Sequence, residues 1–287
     1  MARIAYVNGR YVKLAEASVN IEDRGYQFGD GIYEVFYAYH GRLIDEALHF
    51  ARLTRSRGEI GLAAPMSDAA LRVVIQELMR RNRVGTGLIY LQLTRGVAPR
   101  DHAFPAARRP ALTMTVRPKP APPEGLAGWH AAAITLPDER WGRCDIKSIN
   151  LLPNALAREA AKQAGALEAI LFDTTGMVTE GASSSIWIVG ADNVLRTRAL
   201  DQRVLPGCTR AALLADVAAE GVTFREEGFS VEALRGAREV FMTSATSFVK
   251  PITRLDGAPV GNGAPGLVAS RLYTRYLARL KEQGADV

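Results

Sequence analysis

Four prolines in the nine residues Arg117-Pro-Lys-Pro-Ala-Pro-Pro-Glu-Gly125 constrain this chain more than any other feature. Proline fixes φ and lacks an N–H, so such a run cannot continue a helix or a central strand. It reads as a stiff extended linker. It predicts two domains, residues 1–117 and 126–287, joined by residues 118–125. With 48% hydrophobic and 23% charged residues among 287, the chain has enough apolar material for a sizeable core without disulfides or a structural metal.

Strand and helix signals interleave on both sides of the linker. Before it, Ile4 to Val7 and Arg10 to Leu14 flank the hairpin signal Asn8-Gly9. Ile32 to Tyr39, Leu88 to Thr94 and Ala111 to Val116 read as strands. Asp45 and Ser67 are placed to cap helices running to Glu59 and Asn82. After it, strands are expected at Ala131 to Leu136, Ala169 to Phe172, Ile186 to Val189, Val194 to Thr197, Val240 to Thr243 and Val249 to Arg254. Helices are expected at Asn154 to Ala164, Thr209 to Glu220 and Pro265 to Gln283, the first two ended by Gly165 and Gly221. The fold class is α/β or α+β.

The net charge of +6 raises the question of nucleic acid. The arginines are scattered among acids, as in Arg140, Arg143 and Asp145, and no block of like charges occurs. That pattern suits small anionic ligands, not a nucleic acid. Cys144 and Cys208 read as free thiols of a reducing compartment and are too few for a cysteine-based zinc site. The four histidines form no HExxH pattern, so no metal is expected. With no apolar leader and no apolar run of membrane-spanning length, the expectation is a cytoplasmic protein with no membrane partner.

Only six of the 36 basic residues are lysines, so a reaction needing an amine has few candidates. Lys147 stands out, with apolar residues at 146, 149, 151 and 152. Apolar surroundings disfavour the ammonium form and prepare an amine nucleophile, although a strand-edge charge would look the same. Three segments could cradle an anion: Val178-Thr-Glu-Gly-Ala-Ser-Ser-Ser185 with its lone acid Glu180, the helix opening Leu205-Pro-Gly-Cys-Thr-Arg210, and Thr243-Ser-Ala-Thr-Ser247. Each is equally readable as an ordinary turn or helix start. Tyr33 and Val35 share one strand face, with Glu34 on the other. If the loop Arg95–His102 is locally extended, Arg100 and His102 share a face and, with a tyrosine, could receive a carboxylate. Both could also be plain surface residues.

Taken together and in order, these segments resemble the fold type IV pyridoxal-phosphate enzymes, the branched-chain and D-amino-acid aminotransferase group. The resemblance rests on Asp23-Arg-Gly-Tyr-Gln-Phe-Gly-Asp-Gly-Ile-Tyr-Glu-Val, His49-Phe-Ala-Arg-Leu, Tyr90-Leu-Gln-Leu-Thr-Arg-Gly, Pro99-Arg-Asp-His-Ala-Phe-Pro, Arg143-Cys-Asp-Ile-Lys-Ser-Ile-Asn-Leu-Leu, Val178-Thr-Glu-Gly and Phe241-Met-Thr-Ser. It implies a smaller N-terminal α/β domain, a larger C-terminal domain with a barrel-like sheet, and pyridoxal 5'-phosphate in the cleft between them. Lys147 would be the Schiff-base lysine and carry the proton between substrate Cα and cofactor. Glu180 would pair with the pyridinium nitrogen, and Leu205 would pack on the ring. Arg52, Ser183, Gly207, Cys208, Thr209, Ser244, Ala245 and Thr246 would surround the cofactor, mostly at its phosphate. Tyr33, Val35, Tyr90, Arg100 and His102 would meet the substrate, the arginine and histidine coming from the neighbouring subunit of a homodimer.

The expected reaction is ping-pong transamination between a D-amino acid such as D-alanine and a 2-oxo acid such as 2-oxoglutarate. Arg100 and His102 separate this expectation from a branched-chain L-amino acid or (R)-amine transaminase and from an aminodeoxychorismate lyase. A non-catalytic anion- or nucleic-acid-binding protein is the alternative of another class. Three positions depart from the family pattern. Ala182 stands where relatives often have serine, Ala245 where a threonine often contacts the phosphate, and Phe248 where a glutamate is common.

Overall fold

The computed structural model describes residues 3–106, 109–219 and 221–285. The chain divides into two compact units. One holds the chain up to Ala121, with Ile146–Asn150 and the stretch from Leu280; the other holds Pro122–Asp145 and Leu151–Arg279. The changeover at Ala121–Pro122 lies inside the proline run. The two late stretches that join the first unit depart from the expected contiguous domains 1–117 and 126–287.

In the first unit the elements are β1 (Ile4–Val7), β2 (Arg10–Lys13), α1 (Arg24–Phe28), β3 (Gly31–Tyr39), β4 (Arg42–Leu43), α2 (Glu46–Glu59), α3 (Asp68–Asn82), β5 (Gly87–Thr94) and β6 (Ala111–Pro118). The strands form one antiparallel sheet in the order β2-β1-β6-β5-β3-β4. Ser67 caps α3 as expected, its hydroxyl accepting from the Ala70 N–H at 3.2 Å. Asp45 precedes α2 but makes no capping bond, because its φ of 52° turns the side chain elsewhere. Its Oδ1 accepts from Gln283 Nε2, while its own N–H donates to Gln283 Oε1. That pair helps tie the C-terminal stretch to this unit. Ile32, Phe36, Ile75, Leu78, Ile89 and Met114 are fully buried at the centre of the core between sheet and helices.

Because β4 has only two residues, it covers β3 only at Ala38 and Tyr39. The other end of that edge is closed by Ile146–Asn150, the first of the two late stretches. Tyr33 N–H donates to the Lys147 carbonyl at 2.9 Å, and Ile149 N–H to the Gly31 carbonyl at 3.1 Å. An unpaired strand edge leaves polar backbone unsatisfied, so its neighbour supplies both donor and acceptor. Ile146 enters the same apolar core.

The second unit contains β7 (Ala131–Pro137), α4 (Leu152–Gln163), β8 (Glu168–Phe172), β9 (Val178–Gly181), β10 (Ser185–Val189), β11 (Leu195–Thr197), α5 (Cys208–Ala219), β12 (Phe224–Glu226), α6 (Val231–Arg235), β13 (Glu239–Ser244), β14 (Phe248–Leu255), β15 (Ala258–Pro259) and most of α7 (Leu267–Gly284). Its mixed sheet runs β12-β11-β10-β13-β14-β7-β8-β9, with β15 beside β14. β9, at the far end of that path, is joined to β10 by only Ala182–Ser184. The sheet therefore curls back on itself, the barrel-like form expected. Trp187 and Phe241, opposite each other on β10 and β13, stack at 5.7 Å and 9° within the core.

Several elements go beyond the sequence pattern. Val178–Gly181 is a strand where the sequence reads as a turn, and Arg24–Phe28 is a helix of five residues. β4, β12, α6 and β15 are likewise too short for periodicity to show. The expected end of the 209–220 helix, Glu220, lies outside the described residues. Phe248 gains a physical account. It is fully buried at the start of β14, between Trp129 (6.4 Å) and Tyr276 (5.9 Å), so a glutamate there would be desolvated among rings.

Candidate active site

Within the first unit the structure gathers Lys147, Tyr33, Val35 and Tyr90. Docking on β3, supported by the Lys147 N–H donating to Ser56 Oγ, brings Lys147 Nζ to 4.1 Å from the Tyr33 ring centre. Tyr33 stacks on Tyr90 at 5.7 Å, and Val35 lies directly opposite Tyr90 in the strand register. Tyr90 donates to Gln92 Oε1 at 2.7 Å, and burial, with Tyr33 nearby, pushes its phenol up to about 12. Tyr90 therefore stays neutral near the amine at ordinary pH.

The other face of β3 holds Glu34, completely buried. His49 and Arg52, one turn apart on α2, both reach it. His49 Nδ1 is 2.9 Å from Oε1; Arg52 Nε donates to Oε2 at 3.0 Å, and a terminal nitrogen of Arg52 donates to Oε1. Burial alone would raise the Glu34 carboxyl. The Arg52 charge and the His49 bond more than offset it, holding it well below the usual carboxylate range. Arg52, expected near the cofactor, thus makes a fork grip on Glu34. Alternation puts Glu34 opposite Tyr33 and Val35 in the sequence, but its two partners come from another helix and leave no local signal.

Arg100 and His102 lie in a bent loop, not an extended one, and share one neighbouring ring. It is Phe28: the Arg100 guanidinium lies 4.6 Å from that ring's centre and the His102 ring 5.4 Å from it. Both residues are exposed.

The second unit holds Glu180, Leu205, Gly207, Cys208, Thr209 and Ser244–Thr246. Glu180 is buried on β9. Arg140 donates to its Oε1, and the Leu205 N–H to Oε2 at 3.1 Å. Burial raises this carboxyl, and the Arg140 charge only moderates the shift. Arg140 is in turn held by Asp138, with Nε to Oδ1 at 2.9 Å and a terminal nitrogen to Oδ2 at 2.8 Å. Burial works against the Arg140 charge, but these bonds and Glu180 carry its net shift upward. In the sequence Arg140 is one scattered charge among many, and nothing nearby announces this chain of contacts.

Thr209 sits in the first turn of α5, which starts at Cys208, so it is not the helix cap. Its hydroxyl is buried with no hydrogen-bond partner, and the residue is only 2% exposed. A Cβ on Gly207 would lie 2.8 Å from Ser185 Oγ, so a side chain there would crowd the turn. Ser244 and Thr246 hydroxyls lie 3.2 Å apart in the β13–β14 turn, and Ser244 Oγ also accepts from the Ser247 N–H. Ala245, between them, offers only backbone. Ser183 is turned away: it donates at 2.9 Å to buried Glu168, as Ser184 does at 2.8 Å. Both cysteines are free and buried. Burial lifts the Cys144 thiol to about 11, so it stays protonated and unreactive.

In the second unit, a buried carboxylate, an orphaned hydroxyl at the start of a helix and a tight glycine turn are what the ring nitrogen and phosphate of a phosphorylated pyridine aldehyde would need; in the first, an amine beside two tyrosines is what its aldehyde would need. The chain belongs to the class IV amino-transferase family, which it matches over residues 31–255. It is 42% identical to the D-alanine aminotransferase of Bacillus licheniformis, over 93% of each chain. It is 41% identical to the D-alanine aminotransferase of Staphylococcus epidermidis, over 94% of this chain and 95% of that one. Among solved structures, the branched-chain amino acid aminotransferase of Escherichia coli superposes with a TM-score of 0.87 at 24% identity, covering 97% of this chain and 94% of that one. The PLP-bound form of a hypothetical aminotransferase from Mycobacterium tuberculosis gives 0.80 at 21%, covering 96% and 98%. No described helix is long and apolar enough to cross a membrane.

The Glu34 cluster has a defined pH signature. A carboxyl depressed by folding stabilises above its unfolded value, ordinarily about 4.5, and that contribution is lost as pH falls below it. Glu34→Gln is expected to melt below the wild type at pH 7. The gap should shrink as pH falls below about 4.5, in thermal unfolding followed from pH 7 to 3.

Proposed function

We propose that this chain is a pyridoxal-phosphate-dependent transaminase that exchanges the amino group of a D-amino acid, such as D-alanine, with a 2-oxo acid such as 2-oxoglutarate. The observation that carries the reading is Lys147, held by backbone bonds over Tyr33 beside Tyr90, in a chain about two-fifths identical to named D-alanine aminotransferases.

Pyridoxal phosphate, when bound, supplies an electron sink for the charge left at substrate Cα. The chain's own residues do the rest. Lys147 Nζ would hold the group through its aldehyde and, once freed by substrate, would move the proton from substrate Cα to the cofactor's own carbon. Glu180, whose anionic form Arg140 and the Leu205 N–H favour against burial, would hold a proton on the ring nitrogen. The first-turn N–H groups of α5, Thr209 Oγ1 and the Ser244–Thr246 turn would bind the phosphate. Ala182 and Ala245 contribute no hydroxyl, so backbone N–H groups carry more of that load. Arg52, expected at the phosphate, has its fork on Glu34. Arg100, His102 and Tyr33 receive the substrate carboxylate, and its position selects which Cα hydrogen meets the lysine. The enzyme keeps the amino group from the departure of the first product to the arrival of the second 2-oxo acid, which gives ping-pong order.

The carboxylate receptor is proposed to be completed in a homodimer. The segments that flank it in the chain expose Ile21 (77%), Tyr26 (74%), Val97 and Phe104, apolar side chains that a second subunit would cover. Two buried free thiols suit a cytoplasmic setting.

Lys147→Ala should abolish both covalent retention of pyridoxal phosphate and transamination. In the wild type, D-alanine should bleach the visible band of the bound cofactor faster than L-leucine or (R)-1-phenylethylamine; a faster response to either of those would replace the D-specific reading with a branched-chain or amine one. Thr209→Val should weaken pyridoxal phosphate binding about tenfold. The same change should leave the melting temperature of the apo form unchanged or higher, since it removes a buried hydroxyl without a partner. Light scattering should give a mass near twice the 31.1 kDa chain.

A further inference from the structure

The loop that bears Arg100 and His102 has little regular structure of its own, yet its backbone is held by one buried side chain. Arg24, on α1, is 2% exposed. One terminal nitrogen donates to the carbonyls of Asp101 and, at 3.3 Å, Ala103; the other donates to the His102 carbonyl at 3.3 Å. Three consecutive carbonyls are thus gathered by one guanidinium. Its remaining nitrogen, Nε, donates to Asp30 Oδ2 at 2.7 Å, and the same oxygen takes Arg95 Nε at 2.7 Å. Asp30 thereby balances two buried arginines that would otherwise repel. Arg95 also donates to the Ile60 carbonyl at 2.9 Å and lies 3.6 Å from the centre of the Phe104 ring.

Arg24 and Phe28 are four residues apart on α1 and face the same way. The Arg24 guanidinium is 4.7 Å from the Phe28 ring centre, and Arg100 is 4.6 Å from it. The side chain that grips the loop backbone therefore shares a platform with the loop's two cationic or titratable tips.

We propose that Arg24 is a positioning residue for carboxylate recognition. By fixing residues 101–103 and abutting Phe28, it sets where Arg100 and His102 stand, without touching the substrate itself. Five donors in a rigid planar fork make this possible, and a lysine, a single point of charge, cannot hold the same three carbonyls and Asp30 together. The inference rests on the reading of Arg100 and His102 as the carboxylate receptor.

The test uses the holoenzyme of Arg24→Met, with Arg24→Lys alongside. Arg24→Met should raise KM for D-alanine about ten- to hundredfold, as expected when a binding group is misplaced by an ångström or so. It should leave kcat within a few-fold and the content of bound pyridoxal phosphate unchanged. Trypsin should cut after Arg100 faster than in the wild type, and Arg24→Lys should restore neither property fully. An unchanged KM, a fall in kcat at constant KM, or unchanged cleavage after Arg100 would each overturn the proposal. If Arg24→Met does not fold, Asp30→Asn carries the same readouts in the same direction. Arg100→Ala separates the two levels. If it leaves KM for D-alanine unaltered, the carboxylate reading fails; if it raises KM while Arg24→Met does not, only the role of Arg24 fails.

Discussion

Two backbone hydrogen bonds, Tyr33 N–H to the Lys147 carbonyl and Ile149 N–H to the Gly31 carbonyl, decide where the amine of this protein stands. They exist because β4 is too short to cover β3, which leaves an open edge beside the tyrosines. A strand edge in need of partners and a reactive lysine in need of a fixed address meet one requirement with one segment. Alternation along β3 then sorts the rest. Tyr33 and Val35 face Lys147 and Tyr90, and Glu34 faces the helices, where Arg52 balances its charge and His49 bonds to it.

Buried charge is handled in the same way throughout. Glu34 with Arg52, Asp30 with Arg24 and Arg95, and Asp138 with Arg140 and Glu180 each combine opposite charges with hydrogen bonds that use up the remaining donors and acceptors. Paired buried ions add little net stability, but removing one partner is costly, so such sets fix geometry more than they strengthen the fold. The scarcity of lysine fits this pattern, since each of these clusters depends on the planar fork of arginine.

Much of this is readable in the sequence. The long strands and helices follow from alternation and from Ser67 and Gly165, and Lys147 stands out by its apolar neighbours. The order of the short motifs points to the family. What escapes is of two kinds. Elements of two to five residues, such as α1, β4 and α6, are shorter than any period that could announce them. Partnerships across the fold, such as Arg140 on Glu180, Ser183 on Glu168 or Glu34 on Arg52, leave no local trace. Composition shows only that many arginines and acids exist. Asp45 illustrates the difference: it sits where a cap belongs, yet its dihedral angle sends it to Gln283, 238 positions away.

The first compact unit takes in not only the start of the chain but also Ile146–Asn150 and the residues from Leu280 onward. In a chain made from its N-terminus, this unit is therefore the last to be finished. Its sheet must wait, with β3 uncovered, for a strip that emerges late, and Asp45 must wait for nearly the whole protein before it meets Gln283. Neither unit corresponds to a continuous stretch of gene. Cutting at the proline run would give two fragments, one lacking the segment that bears the amine and the other carrying it with no strand to dock on.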